Sequence, residues 1–206
     1  MSRNLYTIGH SNHSIERLIE LLAMHSIEAL YDVRSHPYSR YNPQFNREPL
    51  EGSLGDGGIR YAFLGRELGG RSDNPDCCID GKVGYELVAR TNEFRDALKR
   101  VLEDVKSRVV ALLCAEKDPI NCHRAILICR NLRTCDIEIG HVLSDGEVEP
   151  HGYFEKRLVE RLNLNQGDLF IGGGDDIVER AYDIQGERIT RAPSPVGERS
   201  SYETGG

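Results

Sequence analysis

No stretch of about eighteen apolar residues occurs in the 206-residue chain, so no membrane-spanning helix is expected. The amino terminus, Met1-Ser2-Arg3-Asn4, offers no long apolar segment of the secretory kind and leads straight into a strand pattern. Basic charge is not in excess either. The 26 Lys and Arg face 33 Asp and Glu, a formal charge of −7, which argues against general adhesion to phosphate backbones. That deficit is uneven: residues 1–145 hold 19 basic and 21 acidic groups, leaving 7 and 12 for the remainder. Six cysteines without a secretion signal do not make a disulfide scaffold; they read as reduced thiols of a cytoplasmic protein. Internal repeats and low-complexity bias are absent. Neither Gly-rich piece, 52–58 or 172–174, precedes a helix in the manner of a phosphate-cradling loop, and both read as flexible. The length suits one domain able to bury a real core.

What is present centres on Val109 to Arg124, V-V-A-L-L-C-A-E-K-D-P-I-N-C-H-R. The unbroken apolar run Val109 to Leu113 is the pattern of a strand buried on both faces. It delivers Cys114 to its end. Asp118 can cap a following helix, with Pro119 pre-set for the first position. Cys122, His123 and Arg124 then fall in the first helical turn. Two thiols, a carboxylate, an imidazole and a guanidinium gather where open α/β sheets hold their sites, at the carboxyl end of a central strand.

Around this stretch the chain alternates strands and helices. Leu5 to Ile8 and Glu28 to Val33 read as strands flanking a helix that Ser14 caps and that buries Ile15, Leu18, Ile19 and Leu22. Such a βαβ unit makes the two strands parallel. Residues 34–58 read as a long loop whose Tyr38, Tyr41 and Phe45 interleave with Arg40 and Arg47, a pattern suited to a ligand-facing segment. Ile59 to Leu64 is a third strand, followed by a polar segment, 65–82. Tyr85 to Val105 has helical period with a break near Thr91-Asn92. The central strand follows, with a helix running to about Cys135. Ile137 to Leu143 is a last strand and Tyr153 to Leu164 a closing amphipathic helix. Beyond Asn165 the composition shifts to linker and tail, in which Val178 to Ile189 can dock as a hairpin or helix. The expectation is a single α/β domain, residues 1–164, with a mostly parallel open sheet flanked by helices, plus a partly flexible C-terminal extension, 165–206.

Chemistry is assigned by residue type and place. A cysteine at a helix start beside cations has a lowered pKa; Cys122 meets that description, and Cys114 faces the same crevice. Taken singly, Cys114 is equally well a small buried apolar residue. His123, Glu116, Asp32 and His10 are the other catalytic candidates. Ser11, Arg34, Ser39, Arg40, Phe45, Asn46, Arg71 and Arg124 are candidates for binding an anionic small molecule, the arginines by their forked donors. Asp145 also follows a strand, as His10, Asp32 and Cys114 do. Cys114, Cys122 and His123, with Glu116, His10 or His141, offer ligand types for a divalent metal, although the C-x7-C-H spacing matches no usual zinc pairing. Cys77, Cys78, Cys129 and Cys135 read as structural.

The segments T-I-G-H-S-N (7–12), D-V-R-S-H-P-Y-S-R (32–40), F-N (45–46), G-I-R-Y-A-F-L-G (58–65), L-G-G-R (68–71), C-A-E-K-D-P-I-N-C-H-R (114–124) and H-V (141–142) resemble, in order and spacing, the bacterial and archaeal family known as domain of unknown function 488. The likeness covers roughly residues 5–145. It implies a compact α/β fold and a site on His10, Ser11, Asp32, Arg34, Pro37, Ser39, Phe45, Asn46, Cys114, Glu116, Cys122, His123 and Arg124. It supplies no settled activity. A looser analogy runs to rhodanese-like sulfurtransferases, which carry an Asp-Val-Arg early and a nucleophilic cysteine after a strand; here the loop after Cys114 is long and bears Glu116, which repels an anionic sulfur donor.

Three functional readings follow. The first is a cysteine-dependent enzyme acting on an anionic small molecule, a nucleotide among them. The second is a non-catalytic module for nucleic acid or protein, the 34–47 loop stacking on bases. The third is sulfur transfer or metal binding at the 114–124 loop. The oligomeric state is not legible.

Overall fold

The protein is described here by a computed structural model, which covers residues 3–164 and 174–190. A six-stranded sheet forms its middle, in the order β3-β2-β6-β1-β7-β8. The strands are β1 (Asn4–Gly9), β2 (Ala29–Asp32), β3 (Arg60–Phe63), β6 (Val110–Cys114), β7 (Glu138–Val142) and β8 (Val148–Pro150). All pairings are parallel except that of β7 with β8. Strand β6 lies between β1 and β2, so those two are parallel through a shared neighbour and do not touch in the ladder.

The apolar run of β6 has a plain cause. Every residue from Val110 to Cys114 is buried, and alternate side chains serve two different cores. Val110, Leu112 and Cys114 join Tyr31 and Val33 beneath α3 (Tyr85–Arg90) and α4 (Asn92–Val105). Ala111 and Leu113 join Ile8 and Leu30 beneath α1 (Ile15–Met24) and α2 (Arg47–Asp56). Each buried leucine or valine contributes roughly 1.5–3 kcal/mol relative to exposure. Ser14 caps α1 by accepting from the Arg17 N–H, and Thr91 ends α3 and caps α4 through the Phe94 N–H. The break near Thr91-Asn92 is therefore a cap between two helices.

Several expectations need correction. The 34–58 loop contains α2, in which Gly52 and Gly55 stand inside a helix rather than in a flexible run. Its helical state comes from Leu50 and Leu54, one turn apart and fully buried, which outweigh the glycines' poor propensity. The 65–82 segment holds a small hairpin, β4 (Cys78–Ile79) with β5 (Lys82–Val83). After Asp118, which accepts from the Ile120 N–H, comes a tight turn, Pro119–Asn121. A π-helical stretch, Arg124–Cys129, follows and runs into α5 (Arg130–Leu132), which stops short of Cys135. A hairpin to β8, unforeseen in the sequence, follows Ser144-Asp145-Gly146.

Helix α6 (His151–Arg161) is joined in space by α7 (Gly174–Ile189), so Gly174 to Asp176 begin a helix rather than extend a linker. Ala181 and Tyr182 of α7 are buried with Ile120, Ala125, Ile126, Phe154 and Leu158 in a third core cluster. The linker and tail expected at 165–173 and 191–206 lie outside the described residues. Among the described residues, no helix is long and apolar enough to cross a membrane.

Candidate functional site

At the carboxyl end of the parallel strands, the turn after β1 and the turn after β6 run side by side. The His10 N–H donates to the Cys114 carbonyl and the Ser11 N–H to the Ala115 carbonyl, extending the ladder past the strands. Gly9 permits this approach: a side-chain carbon there would overlap the Glu116 carbonyl oxygen and come within 2.8 Å of its carbon. Arg124, wholly buried, holds the same turn from the other side. Its guanidinium donates to the Glu116 carbonyl (2.6 Å), the Lys117 carbonyl (3.2 Å) and Thr7 Oγ1 (3.3 Å).

Within this frame the two thiols and the imidazole meet. Cys114 Sγ lies 3.7 Å and Cys122 Sγ 3.9 Å from Nδ1 of His123. The other ring nitrogen, Nε2, is 2.8 Å from the Val33 carbonyl, which only accepts. That acceptor keeps a proton on Nε2 and turns Nδ1 toward the sulfurs. Gly70 backs the ring; an added carbon there would stand 2.8 Å from His123 Cγ. The hydrogen bond from Cys122 and the charge of His123 hold the Cys114 thiol well below its ordinary range, against the opposing effect of burial. Burial and the neighbouring Cys114 push Cys122 up. His123 is raised because Cys114 outweighs its own desolvation. Of the two thiols, Cys114 is the one whose surroundings favour the charged form, with the His123 ring beside it. Cys129, one turn on, is a buried thiol pushed up to about 12 by desolvation.

These three donor atoms lie within 4.8 Å of one another, the one such cluster of His, Cys and acidic ligands among the described residues. Tetrahedral zinc spaces thiolate sulfurs about 3.8 Å apart, so Cys114, Cys122 and His123 are the residues able to hold a metal. A cleft of about 200 Å³ opens over the cluster. Besides the cluster itself, its lining includes the cationic Arg34 and Arg71, His36, the carboxylate Glu116, and Tyr85 with Ile189 of α7.

The remaining expected site residues divide sharply. Arg34 and Asp32 are a buried ion pair, with Nε on Oδ1 at 2.8 Å and Nη2 on Oδ2 at 2.6 Å. Tyr61 also donates to Asp32, and Arg34 further donates to the Phe45 carbonyl. His10 stacks on Phe45 and sits 3.2 Å from Arg34 Nη1; burial, then the Arg34 charge, lower it to about 4. Phe45 is thus inside the core, and only Tyr38 and Tyr41 of the loop aromatics are exposed. Ser39 and Asn46 tie their own loop together, Ser39 N–H donating to Asn46 Oδ1. Arg40 is exposed and outside the cleft's lining. Ser11 has a left-handed backbone, φ +48°, and its hydroxyl turns to Asn12. Asp145 gives its carbonyl to Arg17 in the β7–β8 turn. Arg34, Arg71, Cys114, Glu116, Cys122 and His123 line the cleft; His10, Asp32, Phe45 and Arg124 are buried outside its lining, and Ser11, Ser39, Arg40, Asn46 and Asp145 do not line it.

Other contributors escaped the sequence reading. Gly9 and Gly70 stood in quoted motifs without a role. Behind Arg124, Thr7 Oγ1 meets His141 Nδ1 (2.8 Å), His141 Nε2 meets His151 Nδ1 (2.9 Å), and His151 Nε2 meets the Tyr182 hydroxyl (3.0 Å). This buried chain ties the site's foundation to α7.

The fold and cluster define a class: an α/β protein with a mostly parallel sheet flanked by helices and a cluster of two thiols and an imidazole at the carboxyl edge of that sheet. The family described as domain of unknown function DUF488 matches residues 14–130, more than half the chain, and the protein belongs to it. No curated protein and no solved structure matches the chain.

Proposed function

We propose that the chain is a thiol-dependent enzyme acting on a small anionic molecule, with Cys114 as nucleophile and His123 as its acid–base partner. The observation that carries this reading is the pair of contacts made by one ring, His123 Nδ1 to Cys114 Sγ and His123 Nε2 to the Val33 carbonyl. It supplies nucleophile, base and the group that orients the base. Cys114 is preferred to Cys122 as nucleophile because it is the more exposed of the two, its Sγ is the nearer to His123 Nδ1, and burial pushes Cys122 up. The substrate is small, since the cleft falls below the ~300–1,000 Å³ of drug-sized pockets. Arg34, Arg71 and His36 in its lining favour an anionic group, and Tyr85 with Ile189 an apolar part. Six free thiols suit the reducing cytoplasm.

The test is iodoacetamide labelling mapped by peptide mass spectrometry across pH. Cys114 is expected to react with a midpoint well below the ~8.5 of a free thiol, and His123→Gln to move that midpoint upward. Slow, uniform labelling of all thiols overturns the reading. Elemental analysis of protein purified without chelator separates it from a metal centre, which one bound metal per chain would establish instead.

A further inference from the structure

We propose that Cys114 and Cys122 form a built-in redox switch, in which a small hydroperoxide oxidises Cys114 and Cys122 closes it into a disulfide. This rests on Cys114 being the nucleophile and adds how that nucleophile is silenced and restored. A lone nucleophilic cysteine needs no second thiol at its side, yet Cys122 Sγ lies within 4.8 Å of Cys114 Sγ and the two bracket one imidazole nitrogen. The segment joining them, 115–121, is a turn that exposes Glu116, Lys117 and Asn121 and buries Pro119 and Ile120, and Cys122 sits in extended backbone before the π-helical stretch. The sulfurs must close from within 4.8 Å to about 2.05 Å to form the bond. Both are shielded, but Cys114 is 4% exposed against 1% for Cys122, and the cleft reaches both. A hydroperoxide fits that cleft, and a peptide-sized disulfide does not.

The steps balance. The Cys114 thiolate attacks the outer oxygen of R–O–O–H, the O–O bond breaks, and the departing alkoxide takes the proton from His123 Nδ1 as an alcohol. Cys114 is now a neutral sulfenic acid and His123 a neutral base. His123 Nδ1 accepts the Cys122 proton, the new thiolate attacks Cys114 Sγ, and the S–O bond breaks. The leaving hydroxide recovers that proton as water. Two thiols lose two electrons and the hydroperoxide gains them. An external thiol reverses the state by exchange.

The experiment treats the reduced full-length chain with hydrogen peroxide, with and without dimedone, and maps peptides under non-reducing conditions. Wild type is expected to yield a Cys114–Cys122 disulfide with no dimedone adduct, and dithiothreitol to restore iodoacetamide labelling of Cys114 in full. Cys122→Ser and Cys122→Ala, checked for folding by circular dichroism, are expected to trap dimedone at Cys114. With excess peroxide they pass to sulfinic acid, which dithiothreitol does not reverse. A dimedone adduct on wild-type Cys114, or a disulfide to any other cysteine, overturns the switch while leaving the nucleophile standing. A Cys114 inert to both peroxide and iodoacetamide removes the nucleophile and the switch together.

Discussion

Replacing Gly9 with alanine tests whether the close approach of the β1 and β6 turns holds the site together. A methyl group there overlaps the Glu116 carbonyl oxygen and stands 3.2 Å from Arg124 Nη1, so the carbonyl must retreat from the guanidinium that binds it at 2.6 Å. A hydrogen bond to a charged group contributes roughly 1.5–3 kcal/mol. With strain in the neighbouring ladder bonds the loss comes to about 3 kcal/mol. For a chain of this size that lowers the melting temperature by roughly 6–12 °C. Gly52→Ala is the internal control, because nothing lies within 4 Å of a carbon added there and its backbone is helical. It is expected to stabilise by roughly 0.5–1 kcal/mol. Urea unfolding followed by circular dichroism reads both, and iodoacetamide labelling of Cys114 reads whether the turn still shapes the cleft. A Gly9→Ala protein within about 0.5 kcal/mol of wild type, inside the scatter of ordinary surface changes, refutes the reasoning.

Asp32→Asn removes the negative charge and one of two acceptor oxygens from a guanidinium whose pair is 6% and 0% exposed, and is expected to cost roughly 3–5 kcal/mol in urea unfolding. Acid should destabilise through histidine before the carboxylates titrate. His10 and His151 are lowered from 6.5 to about 4, His10 by burial and the Arg34 charge and His151 chiefly by burial. Each therefore contributes about 3 kcal/mol that is present in full above pH 6.5 and is lost as pH falls toward 4. The urea midpoint should drop between pH 7 and 5 with unchanged slope, and His10→Gln should flatten that drop. Tyr182→Ala, which empties a wholly buried ring position against Phe154, is expected to cost roughly 3–5 kcal/mol. A loss of less than 1 kcal/mol by calorimetry would mean that α7 rests on the surface.

The central strand was legible because burial on both faces leaves an unbroken apolar word, Val109 to Leu113, that few other elements write. Ser14 and Asp118 were legible as caps because their chemistry is local, whereas Thr91 showed only as a break in the helical period. Helix α2 was hidden: Gly52 and Gly55 read as loop, and only two leucines a turn apart spoke for a helix. Helix α7 was half hidden by its Gly-Asp-Asp start. The candidate site was legible as a gathering of residue types, since strand ends place them together whatever their roles. Roles were harder, because sequence does not record which donors are already taken. Arg34 and Arg124 look like anion anchors on paper, yet most of their donors go to Asp32 and to backbone carbonyls. That one imidazole nitrogen, His123 Nδ1, faces both thiols is a fact of three dimensions.

The place of β1 bears on how relatives should be cut for expression. It precedes the matched span 14–130, yet it is wedged between β6 and β7. A fragment trimmed to the match would leave the most apolar strand with a bare flank, an invitation to aggregate. It would also lose the His10 and Ser11 amides that clamp the turn after Cys114. Cloning boundaries are better drawn from the ladder, upstream of Asn4 and beyond Val142, than from the profile that names the family.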